Sequence, residues 1–165
     1  MAKQSAGIML YRRSGTLVEV LLVHPGGPFW AKKDKAAWSV PKGEVESDEN
    51  LRQAAEREFE EETGCPAPEG SYIDLGSFSR NGKQVTAWAV EGVFNTAELK
   101  SNIFTIEWPP KSGKQMETPE VDRAAWVSLD KAPEKMHTGQ DVFIYRLAEA
   151  LGVETDEPPK QQSLW

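Results

Sequence analysis

The chain reads as a single α/β or α+β domain, and three observations point there. Short segments of strand-like composition recur along its 165 residues. Two segments carry a helical period, and they lie far apart in the order. No stretch is repeated or compositionally biased. A chain of this length suits one domain with its own core.

In order, Ala6 to Arg13 (AGIMLYRR) and Val18 to His24 (VEVLLVH) read as strands joined by a turn at Ser14-Gly15. Pro25 to Ala37 (PGGPFWAKKDKAA) has glycine, proline, aromatics and lysines but no period, so a loop is expected. Trp38 to Glu46 (WSVPKGEVE) reads as a short strand entering a glycine turn. A helix is expected over residues 48–63, with Ser47 as N-cap, Asp48 and Glu49 at its positive end, and Gly64 just past its close. YIDLGSFSR and QVTAWAVEGVF flank Asn81-Gly82, the dipeptide of tight hairpins. Ile103 to Trp108 and Val121 to Leu129 read as strands, with a polar loop between them (PPKSGKQMETPE). A second helix is expected over residues 139–151, where Phe143, Ile144, Leu147 and Leu151 share one side and serve packing. Residues 1–152 make the domain, and 153–165 read as a flexible tail.

The bulk numbers exclude several function classes. A net charge of −7 argues against a general nucleic-acid binder. It also means that an anionic phosphate ligand needs a cation between itself and the protein. A single cysteine, Cys65, forms no internal disulfide, and with only two histidines a Cys/His zinc site is not expected. No apolar run reaches the roughly 18–20 residues that span a bilayer. The N-terminus lacks the apolar stretch of a secretory signal, so a cytoplasmic protein without membrane contact is the default.

The run REFEEETG, Arg57 to Gly64, carries the strongest chemical signal. At about 100° per residue, Leu51, Ala54, Ala55, Glu58, Glu61 and Glu62 fall on one helix face, with Gln53, Glu56 and Glu60 opposite. An acidic run is usually a solvated face, and that accounts for Glu56 and Glu60. It does not account for three glutamates continuing the apolar stripe. Their repulsion is a few tenths of a kcal/mol per pair when exposed and grows as water is withdrawn. A hard divalent cation with oxygen ligands reverses the sign, and magnesium or manganese commonly bridges such carboxylates to phosphates.

From Gly43 the chain reads GEVESDENLRQAAEREFEEETGC, with Gly43, Glu49, Arg57-Glu58, an apolar Phe59, Glu61-Glu62, Gly64 and an apolar Cys65 at set spacings. This resembles the signature of the Nudix (MutT-like) hydrolases at every specified position. The resemblance implies an α/β/α sandwich with a mixed sheet, and hydrolysis of a phosphoanhydride in a nucleoside diphosphate linked to another group. It implies Mg2+ or Mn2+ as cofactor, with Glu58, Glu61, Glu62 and Gly43 in the metal site. Glu49 and Arg57 become the charged pair that orients the catalytic end of the helix. Glu58 and, outside the signature, Glu120 are the candidates to take a proton from water. Glu120 stands six residues before Trp126, as a similar glutamate does in many Nudix proteins. It reads equally well as an ordinary loop acid, and Glu117 is its rival.

Other positions carry weaker signals. Lys42 is suited to meet a phosphate as a point charge. Phe29 and Trp30, in the long loop, are the aromatics expected to reach a ligand. Core packing is the first reading for most of the six tryptophans. Cys65 reads as a packed residue, and neither His24 nor His137 has a partner visible in the sequence. WSVPKGEVE resembles the approach to the signature in diadenosine tetraphosphatases and diphosphoinositol phosphatases. The expected partner is therefore a small phosphate compound, a dinucleoside polyphosphate or nucleoside triphosphate. The alternatives are a nucleotide-binding module without catalysis, or a diphosphoinositol polyphosphate or nucleotide-sugar pyrophosphatase. An isopentenyl diphosphate isomerase would want a reactive cysteine outside the signature, and none is present. Homodimers are frequent in the family resembled.

Overall fold

The computed structural model describes residues 3–155, so most of the expected tail lies outside the described residues. The central sheet runs in the order β4-β5-β1-β2-β8, with β3 also paired to β1. Its strands are β1 (Lys3–Ser14), β2 (Leu17–Pro25), β3 (Lys42–Glu44), β4 (Ile73–Arg80), β5 (Lys83–Glu91) and β8 (Val121–Ser128). β1 and β5 are parallel, and the other pairings are antiparallel. A separate hairpin is formed by β6 (Ile103–Glu107) and β7 (Gln115–Pro119). The helices are α1 (Leu51–Thr63), α2 (Ala132–Lys135) and α3 (Asp141–Leu151).

Alternation along β1 builds the two layers. Ile8 and Leu10 point to one face, where Ala54, Ala55 and Phe59 of α1 close over them. Met9 and Tyr11 point to the other, against Phe143, Ile144 and Leu147 of α3. Each face of the sheet is thus covered by one helix, an α/β/α sandwich with a mixed sheet. The period of two in the strand meets the period of 3.6 in each helix. Of the stripes read from the sequence, Ala54, Ala55 and Glu58 of α1 and Phe143, Ile144 and Leu147 of α3 are buried, while Leu51, Glu61, Glu62 and Leu151 are half-buried; Phe59, Thr63 and Ala148 are buried as well, and Gln53, Glu56 and Glu60 are exposed.

β1 serves two partners along one edge. Its residues 5–7 pair with β3, and 11–14 pair with β2. Gly7 permits the crossing, because a Cβ there would stand 2.6 Å from the Pro41 carbonyl oxygen. This brings β3, and the start of the signature, across the end of α1.

Four local expectations need correction. The N-cap of α1 is Asn50, not Ser47: its side chain accepts from the Gln53 amide, and the Gln53 side chain accepts from the Asn50 amide. Asp48 and Glu49 therefore precede the helix, and Glu49 is free to turn towards Arg57. The polar loop after Trp108 contains a strand, β7, which pairs with β6 through backbone bonds that its polar composition does not reveal. A short helix, α2, was not expected; it starts with Pro133 in its first turn. Only Lys42–Glu44 of the expected 38–46 strand joins the sheet; Trp38 and Ser39 make single bridges. Among the described residues, no helix is long and apolar enough to cross a membrane.

Candidate active site

The carboxyl end of α1 is stitched to a distant part of the chain. A helix leaves its last carbonyls without internal partners. Here Gly64, left-handed at φ 84°, donates to Glu60 O at 2.8 Å, while Lys100 N–H reaches Thr63 O at 3.0 Å and Asn102 N–H reaches Glu61 O at 2.9 Å. Asn102 O in turn accepts from Glu120 N–H at 2.8 Å, and Glu120 O accepts from Gly26 N–H at 2.9 Å. These bonds set Glu120, between β7 and β8, beside the helix.

The result is a cluster. Carboxylate oxygens of Glu58, Glu62 and Glu120 lie within 4.8 Å of one another. Glu58 is buried at 8% exposure, and the other two are half-buried. Burial, reinforced by the negative neighbours, raises all three carboxyl pKa values, Glu62 to about 8. Lys42 acts against this at Glu62 in two ways: its amide N–H donates to Oε1 at 3.2 Å, and the positive charge of its ammonium attracts the carboxylate. Lys42 is itself partly desolvated, which lowers its pKa. Gly43 lies so close to Glu58 that a Cβ would meet its carboxyl carbon at 2.0 Å. Only glycine lets β3 lie against that acid.

Arg57 organises the remaining acids. Its Nε and Nη2 donate to the two oxygens of Glu49 at 2.6 and 2.9 Å, and Nη1 donates to Glu58 at 2.9 Å and Glu61 at 2.8 Å. Nη2 also reaches the Glu44 carbonyl at 3.0 Å. Glu49 accepts a further bond from the Glu46 amide at 3.0 Å. These bonds, those from Arg57 first, hold its carboxyl pKa at about 2. The guanidinium pKa is raised correspondingly, first by Glu49.

The structure thus brings Glu58, Glu62, Glu120, Lys42 and Gly43 to one place, with Glu49 and Arg57 behind them. Glu61 stays on the same helix face, but its carboxylate pairs with Arg57 rather than joining the trio. Glu46 and Glu117 are exposed and outside it. Phe29 is 56% exposed with the Lys33 ammonium over its ring at 4.5 Å, and Trp30 packs against the core and the His137 ring. Neither lines the cleft beside the acids. His24, partnerless in the sequence, is fully buried between Asp122 at 2.9 Å and the Lys33 carbonyl at 2.6 Å, pinning the long loop to β8.

The cleft over the acids measures about 350 Å³ and is lined by Glu58, Glu120, Lys42, Gly43, and two cations the sequence did not single out, Lys3 and Lys83. No spacing could reveal that pair. They meet because β1 and β5 run parallel in register, Lys3 opposite Lys83.

The donor set is all oxygen, compact and electron-rich, which suits a hard divalent cation rather than zinc or copper. The described fold is matched by comparison with known proteins. The NUDIX domain model matches residues 1–147, and the chain belongs to that family. It is 30% identical over 114 residues to the phosphatase NudJ of Escherichia coli strain K12, an alignment covering 67% of this chain and 66% of NudJ. The chain thus spans just under two thirds of the length of that relative. In fold it is similar to the NUDIX domain of Shewanella oneidensis NrtR solved with ADP ribose, with a TM-score of 0.62 at 17% identity over 92% of this chain and 89% of that one. It is also similar to a Caenorhabditis elegans Ap4A hydrolase binary complex, with a TM-score of 0.59 at 22% identity over 91% and 98%.

Proposed function

We propose that the protein is a hydrolase dependent on Mg2+ or Mn2+ that cleaves a phosphoanhydride in a nucleoside diphosphate derivative, a dinucleoside polyphosphate or nucleoside triphosphate above all. The convergence of three carboxylates, two of which line a cleft together with Lys42, carries this reading. The NudJ and Ap4A hydrolase likenesses support it. Its single cysteine, which can form no internal disulfide, favours a reducing compartment such as the cytoplasm.

Glu58, Glu62 and Glu120 would hold the cation, with Glu61 available if Arg57 releases it and the Gly43 carbonyl adjacent. When bound, such a cation supplies charge neutralisation at the pyrophosphate and makes the attacking water more acidic. The protein's own groups do the rest. Lys42 offers a positive charge to a phosphate oxygen. Arg57 and Glu49 fix the direction of Glu58, as supporting partners of metal ligands do. Glu120 is the better-placed proton acceptor: Glu58 shares an oxygen with Arg57, whereas the Glu120 carboxylate makes no hydrogen bond to any described residue.

The test is phosphate or nucleotide release from dinucleoside polyphosphates, canonical and oxidised nucleotides, nucleotide sugars and ADP-ribose, with magnesium or manganese. Wild type is expected to turn over at least one class, and Glu62→Gln to lose it. A binding module without catalysis would bind the same compounds in both forms and release nothing. Magnesium should also raise the melting temperature of wild type more than that of Glu58→Gln.

A further inference from the structure

A ridge of cations runs away from the acids along the adjoining sheet edge. Lys3 on β1 is directly opposite Lys83 on β5, and Lys83 is directly opposite Arg80 on β4. Residues in register share a face, with Cβ atoms about 5 Å apart, and like charges so placed repel. All three are exposed, and none forms an ion pair with a described residue. Lys42 continues the row inward, lining the acidic cleft together with Lys3 and Lys83.

Three neighbouring clefts over this ridge share lining residues. Lys42 and Lys83 line both the acidic cleft and a second one of about 350 Å³ that reaches Arg80, Phe78 and His137. Arg80, Phe78 and His137 also line a third, of about 710 Å³, bounded by Met136, Val142 and Arg146. Arg146 is occupied there, donating to the Leu75 and Ser77 carbonyls, so its charge is not part of the row. The trench therefore begins with acids, passes over four cations, and ends in a wider, partly apolar hollow beside α3.

We propose that Lys3, Lys83 and Arg80 bind a further phosphate of the substrate, beyond the pyrophosphate held at the acids. The preferred substrate class is then compounds with extra phosphate next to the scissile bond, while a plain diphosphate bridge between two uncharged groups is a poor substrate. This rests on the hydrolase reading for its catalytic consequence, but not for binding. The physical ground is the one that applies to the acids with reversed sign. Lys3, Lys83 and Arg80 are held together at a cost in repulsion that an anionic chain cancels. The added phosphate can be part of a linear polyphosphate or stand on a phosphorylated polyol, and the assay distinguishes these.

Arg80→Gln, Lys83→Gln and their double variant remove charge from exposed positions, so the fold is retained, and melting temperature without ligand should stay level or rise. Calorimetry in magnesium with inorganic tripolyphosphate and pyrophosphate reads the ridge directly. Wild type is expected to bind tripolyphosphate at least about tenfold more tightly, the usual worth of one charge-assisted hydrogen bond. The double variant should lose that margin while binding pyrophosphate unchanged. Equal affinity for the two in wild type, or a margin that survives in the double variant, overturns the proposal whether or not any substrate is cleaved. In turnover, the ratio of kcat/KM for a dinucleoside tetraphosphate or a diphosphoinositol polyphosphate over ADP-ribose should fall at least about tenfold in the double variant. Which of the two falls further identifies the source of the extra phosphate, and a parallel loss on ADP-ribose refutes the assignment. Failure of wild type to cleave anything, with the tripolyphosphate margin intact, would sink the hydrolase reading and leave the ridge standing.

Discussion

Replacing Glu62 by glutamine should flatten the pH dependence of stability of the metal-free protein. The folded carboxyl titrates at about 8, against 4.5 as the ordinary value, first because of burial and then because Glu58 repels its charge. Below 4.5 the group is neutral in both states, and the folded form gains fully from the raised pKa. As pH rises towards 8 the unfolded chain releases this proton while the folded one keeps it, and stability falls by about 1.4 kcal/mol per pH unit. From about pH 5 to about pH 8 the ceiling is about 4 kcal/mol. Glu62 is half-buried, so water screens part of the cost, and about half that figure is expected. At about 2–4 °C per kcal/mol for a chain of this size, wild type should lose about 4–8 °C more than Glu62→Gln over that interval. The assay is thermal unfolding in EDTA across the pH range. A difference between the two proteins that does not change with pH would show that Glu62 is ionised and comfortable in the fold, and would remove the reason for a cation there. Adding magnesium should abolish most of the wild-type slope.

Other perturbations follow from the same geometry. Arg57→Ala frees Glu49, Glu58 and Glu61 at once and should lower kcat/KM and metal affinity about 10- to 100-fold, read by turnover and magnesium titration. Arg57→Lys should recover only part of this, since a point charge cannot grip both oxygens of Glu49. Gly43→Ala forces the Glu58 carboxyl aside, because the new Cβ would overlap it at 2.0 Å. It should cost turnover and magnesium-induced stabilisation together while circular dichroism stays unchanged. Phe59→Ala empties the core between α1 and the sheet, where Phe59 is 1% exposed, and should cost about 3–5 kcal/mol by denaturant unfolding.

The sequence by itself determined what depends on near neighbours. The acidic stripe of α1, the glycine that ends it, the Asn81-Gly82 hairpin and the packing side of α3 follow from period and turn chemistry over a few residues. The N-cap was misplaced by three positions because Ser47 and Asn50 are both good caps, and only the reciprocal bonds with Gln53 decide between them. β7 stayed hidden because a two-stranded hairpin needs no apolar alternation when both of its faces are largely wet. Tertiary structure alone decided the members of the acidic trio. Glu58, Glu61 and Glu62 are equivalent by helical spacing, and Arg57 bonds both Glu58 and Glu61, yet only Glu58 and Glu62 bring an oxygen within 4.8 Å of Glu120, which backbone bonds through Asn102 carry to them. Pairing of β1 with β5 across some eighty residues likewise assembled Lys3 with Lys83. Contacts of that kind are set by strand register and helix capping between remote segments, and no local pattern of residue types encodes them.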